Sequence, residues 1–158
     1  MSLESFAIWL SETPLSIALT DSALAFPAIE SLHVIALTLV VGSIAIVDLR
    51  LTGLASRQRD AADLIRSILP ITWIAFGLAL VTGLLLFSAN PISYTANFYF
   101  LGKLLLLGVA GLNMLLFHIF AHRHLATEGA LAPKLSGWAS LTLWITIVAF
   151  GRWIGFTL

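Results

Sequence analysis

Apolar residues dominate the chain in four long runs, and polar positions gather in the stretches between them. The runs cover about residues 27–49, 64–88, 98–121 and 135–158. A bilayer core of about 30 Å needs roughly 20 apolar residues in a helix, and each run is long enough. None shows the strict alternation expected of a membrane-barrel strand. The pattern predicts an all-α fold: an integral membrane four-helix bundle over residues 27–158.

Residues 1–26 read differently. The stretch SFAIWLSETPLSIALTDSALAF mixes aromatic and aliphatic side chains with Ser, Glu and Asp. It predicts a short N-terminal interfacial segment of one or two helices, with Thr13-Pro14 and Asp21-Ser22 as start signals. No Lys or Arg precedes Arg50, so the basic region of a signal peptide is missing.

Composition sharpens this picture. Of 158 residues, 59% are hydrophobic and 10% charged, against roughly 25% charged in a soluble domain. A chain of 17.1 kDa with a mean hydropathy of +1.02 cannot hide so much apolar surface inside itself. Its main partner is therefore the lipid bilayer. The formal charge is zero, so no global field attracts nucleic acid. There is no cysteine, which excludes disulfides, thiolate catalysis, iron–sulfur clusters and Cys-based zinc sites.

The basic residues set an orientation. Arg50, Arg57, Arg59 and Arg66 flank the first connection, and Arg123 and Lys134 flank the third. Positive loops stay in the cytoplasm, so the expectation is a multi-pass protein of the bacterial inner membrane with both termini outside.

That topology sorts the ionisable residues into two layers. Glu30, His33, Lys103 and Arg152 fall in the outer half, while Asp48, Arg50, His118, His122 and His124 fall near the inner surface. Charged groups within a span cost at least about 2.5–3.5 kcal/mol and are normally paired and turned inward. Two readings compete for Lys103 and Arg152. They snorkel to the headgroups, or they line a cavity for an anion such as a propionate and pair with Glu30. Glu30 and His33 stand three apart on one helix and share a face.

His33 is the residue to single out, roughly 7 Å from the middle of its span. It either hydrogen-bonds a neighbouring helix or ligates a haem iron. His118 and His122, spaced four apart, share a face and could hold a metal or simply face headgroups. They lie roughly 20 Å in depth from His33, too far to share its iron. The glycines Gly77, Gly83, Gly108, Gly111 and Gly151 read as close helix-packing positions.

Three stretches carry a resemblance. ESLHVIALTLVVGSIAIVDLR resembles the first helix of the CopD-type copper-resistance membrane domain, and RSILPITWIAFGLALVTGLLL and FYFLGKLLLLGVAGLNMLLF are similar to its next two. The matching positions include Thr82-Gly83-Leu84, Lys103 and Asn113. The HemJ-type protoporphyrinogen oxidases share the first-helix His and third-helix Lys, which implies haem b at His33. The chain as a whole looks like a small bacterial inner-membrane family without a known activity, and it departs from the HemJ pattern in its first loop and in lacking a second ligand.

Three functions stand open on this reading. The first is a haem-b membrane protein moving electrons, in one version an oxidoreductase, with a quinone or redox protein as partner and Lys103, Arg152 and Glu30 around the cofactor. The second is a copper or ion transporter of CopD type. The third is a non-catalytic accessory subunit. In the first, the haem is five-coordinate, ligated by Lys103 if deprotonated, or completed by His33 of a second copy in a homo-oligomer.

Overall fold

The structure, a computed structural model, describes residues 3–55, 58, 60–121 and 131–157. These residues form seven helices and no strand. Four are long and apolar enough to cross a membrane: α3 (Ala25–Thr52), α4 (Ala61–Ala89), α6 (Phe98–Leu116) and α7 (Leu131–Thr157). One π-helical turn, Phe117–Ala121, continues α6. Three short helices complete the set: α1 (Leu3–Ser11), α2 (Pro14–Asp21) and α5 (Pro91–Ala96).

The helix ends follow local chemistry. Thr13 Oγ1 accepts from Ser16 N, and Pro14 opens α2 without needing its missing donor. Ser22 Oγ accepts from Ala25 N at the entry to α3. Gly53, at φ +80°, ends α3 in the left-handed conformation that glycine adopts without strain. Asp60 caps α4 through Ala62 N and Asp63 N. These caps carry α3 and α4 past the expected boundaries at 49 and 64, to Thr52 and Ala61. The connection between the second and third runs holds α5, because Asn90 caps it and Pro91 occupies its first turn.

The four spans are arranged in the spatial order α4, α3, α7, α6. Helix α3 packs on α4 and α7, and α7 packs on α6. Among the described residues, no Cα of α4 comes within 8 Å of one in α6. That gap is bridged at one end by rings: Phe87 of α4 stacks on Phe100 of α6, centroids 5.4 Å apart, and Tyr94 of α5 leans on both. Helices α1, α2 and α5 cover this same end, α1 against α5 and α2 against α4 and α3. We call it the capped end. The opposite end carries Arg50, Arg66 and Lys134 and is the basic end.

Burial is sparse, as lipid-facing helices require. The α3–α4 seam is made by Ala36 and Val40 against Ala75 and Ala79, small residues that let backbones approach. Large apolar side chains such as Ile74, Leu105 and Ile145 point outward.

Candidate functional site

The buried stripe of α3 continues from Val40 and Ala36 to His33, one turn nearer the capped end. Across the seam, the α4 stripe Ala75, Ala79 runs on to Thr82. Helical periodicity thus sets an imidazole opposite a hydroxyl, with His33 Nδ1 2.9 Å from Thr82 Oγ1. Thr82 donates its own proton to its helix, at 2.7 Å from Leu78 O. With that proton on Leu78 O, the Thr82 oxygen accepts from His33 Nδ1–H and the lone pair lies on Nε2. The tautomer is assigned from this network. Gly83 completes the cradle. A Cβ there would stand 3.1 Å from His33 Cε1, so the ring occupies space that only glycine leaves open.

Lys103 enters the same layer from α6. Its stem lies along Gly151 of α7, where a Cβ would meet Nζ at 3.4 Å. The ammonium is within Coulombic reach of the His33 ring. Its side chain is half-buried and lies against α7. One position earlier, Gly102 accepts the edge of Phe150, which pins α6 to α7 at this depth.

Arg152 and Glu30 do not join them, and the expected convergence of four residues is corrected to a pair. Gly151 faces α6, so the next residue is rotated about 100° away. Arg152 is exposed and its guanidinium lies 4.7 Å from the Phe156 ring, one turn on along its own helix. This is the snorkelling alternative. Glu30 is also exposed. Its charge acts instead on Tyr94, whose phenol is pushed up by burial first and by the Glu30 carboxylate second.

At the other end of α6, His118 is exposed within the π-helical turn, and its Nδ1–H donates to Met114 O at 2.9 Å. Fifteen residues separate it from Lys103 on one continuous helix path, about 22 Å at 1.5 Å per residue. His118 therefore stands apart from the His33 layer. His122, its proposed metal partner, lies outside the described residues, as do Arg57, Arg59, Arg123 and His124. Among the described residues no group of three or more His, Asp or Glu side chains is placed to hold a metal ion.

With this geometry in view, the comparisons with known proteins place the chain. Residues 16–157 match the family of unknown function DUF6644. The chain belongs to that family. No curated protein and no solved structure matches it. DUF6644 membership agrees with the reading of a small membrane family without a known activity, and it lends no support to the CopD-type or HemJ-type likeness.

Sequence reasoning passed over the roles of Thr82 and Gly151. Both had a signal. A Thr inside an apolar span, at a depth matching a His on the preceding antiparallel span, is a natural hydrogen-bond partner. A glycine level with an intramembrane Lys leaves room for its stem. The glycine reading also needs revision. Gly83, Gly102, Gly137 and Gly151 face close neighbours, whereas a Cβ on Gly77, Gly108 or Gly111 would meet nothing within 4 Å.

Proposed function

We propose that this protein binds haem b through His33 and moves electrons within the membrane, to or from a quinone or a redox partner protein. The observation that carries this reading is the Thr82 hydrogen bond to His33 Nδ1, with Thr82 itself anchored on Leu78 O. A histidine held at one nitrogen by an outer partner presents the other as a ligand in a fixed orientation. The donor set fits the group. An imidazole with Nε2 unprotonated is a standard haem ligand, and the Lys103 ammonium beside it is suited to a propionate.

A bound haem supplies one-electron chemistry. The chain's own residues supply the rest. Thr82 fixes the tautomer, Gly83 leaves the ring its place, Gly151 accommodates the Lys103 stem, and the apolar seam of Ala36, Val40 and Ala79 excludes water. Copper transport is less favoured by donor chemistry. Copper(I) prefers Met and Cys, and the chain has Met1, Met114 and no cysteine. Positive-inside placement puts the His33 layer in the outer half of a bacterial inner membrane, with both termini outside.

The test is the visible spectrum of the detergent-purified protein expressed with haem available. A Soret band with α and β bands on dithionite reduction is expected. Protein purified without a chromophore, and taking up none when titrated with haemin, would overturn the proposal. A high-spin spectrum would mark a five-coordinate iron, and a low-spin one Lys103 or a second subunit's His33 as the sixth ligand.

A further inference from the structure

A second polar site lies at the basic end, independent of the His33 layer. Asp48 on α3 is 5% exposed, and its Oδ2 has no hydrogen-bond partner among the described residues. Ser140 of α7 turns its hydroxyl toward the carboxyl. The contact depends on a close crossing. A Cβ on Gly137 would stand 3.1 Å from Asp48 O and from Leu51 Cβ, so glycine lets α7 approach α3 here. Four residues before Ser140, on the same face of α7, Ser136 donates to Asn113 Oδ1 of α6 and accepts from Asn113 Nδ2 through its carbonyl.

A buried carboxyl oxygen with no partner among the described residues calls for one. Among the described residues, the charged or titratable side chains at this end are Arg50 on α3 itself, Asp60 at the cap of α4, Asp63 and Arg66 on α4, His118 after α6, and Lys134 on α7. All but Arg50 are exposed, and the side chain that acts on the carboxyl is Ser140. The donors are all oxygen with one formal negative charge, which suits a small hard monovalent cation and not a soft or divalent metal. We propose that Asp48 and Ser140 form a buried binding site for a small monovalent cation, a proton or a sodium ion. A proton on Oδ2 turns the orphan acceptor into a donor. A sodium ion draws on the Asp48 carboxylate and the Ser140 hydroxyl together.

Infrared spectra of the purified full-length protein, wild type and Asp48→Asn, test this in sodium-free and sodium-containing buffer at neutral pH. A carbonyl stretch of a protonated carboxylic acid, lost in Asp48→Asn and indifferent to sodium, supports the proton. A carboxylate band that shifts with sodium but not potassium, and vanishes in Asp48→Asn, supports sodium. An ionised Asp48 carboxylate that ignores sodium overturns the proposal. Ser140→Ala guards against a misfolded Asp48→Asn: it removes the hydroxyl that faces the carboxyl, so the same band must move. If that band does not move, the site is refuted. Loss of haem, or its retention, has no bearing on these outcomes.

Discussion

Gly83→Ala probes the His33 cradle with one methyl group. The added Cβ would stand 3.1 Å from His33 Cε1 and 3.7 Å from Nδ1. Carbon atoms in contact prefer about 3.5–4.0 Å, so the ring must withdraw by roughly 0.4–0.9 Å. Its bond to Thr82 is 2.9 Å long, and a shift of that size takes it to or past the roughly 3.2 Å limit of good N–H···O geometry. An interhelical hydrogen bond in a membrane is worth about 0.6 kcal/mol on average and up to about 1.7. Overpacking adds about 1–3 kcal/mol, and the better helix propensity of Ala returns less than about 1. A net loss of about 1–4 kcal/mol follows, at least a roughly 5-fold shift in the folding equilibrium. Unfolding in mixed detergent micelles, followed by tryptophan fluorescence, measures it. Gly108→Ala and Gly111→Ala are the controls, because nothing lies within 4 Å of a Cβ there. Thr82→Val supplies a second check: with the bond already gone, Gly83→Ala should cost less than in the wild type. A Gly83→Ala midpoint equal to the Gly108→Ala midpoint, with full additivity on Thr82→Val, would refute the cradle.

Orientation is testable with single cysteines in this cysteine-free chain. A membrane-impermeant thiol reagent applied to intact spheroplasts should label Asn90→Cys and spare Ser56→Cys; the reverse pattern would invert the topology. Tyr94 should ionise above its ordinary value near 10, and Glu30→Gln should bring that midpoint partly back, read by tyrosinate absorbance. Burial is the larger cause, so full restoration would contradict the placement of Tyr94. The sign for stability follows. As pH rises through the ordinary tyrosine range, the unfolded chain ionises first, so Tyr94 weakens the fold there.

The fold was legible because bilayer thickness imposes a length on every span, and four runs of that length stand out without competition. What escaped were features set by helix ends and helix phase. Helix α5 hides in a six-residue turn, where an Asn cap and a following Pro outweigh the expectation of a loop. His33 and Lys103 were found at the sequence level because charge and imidazole are conspicuous in an apolar run. Arg152 and Glu30 were equally conspicuous, yet their direction depends on how each helix is rotated. That rotation is set by small residues, Gly151 for α7 and Ala36 for α3, and apolar composition carries little of it. The partner hydroxyls Thr82 and Ser140 are visible only once depth on one span is matched to depth on another.

The central claim is that His33, and not the histidine at the basic end, holds a haem. Haem content per protein, measured on purified wild type, His33→Ala and His118→Ala, addresses it most directly. The account predicts haem in the wild type, loss in His33→Ala and retention in His118→Ala, since about 22 Å of helix separates the two layers. Equal retention in the two variants would contradict it, and loss confined to His118→Ala would move the site to the basic end.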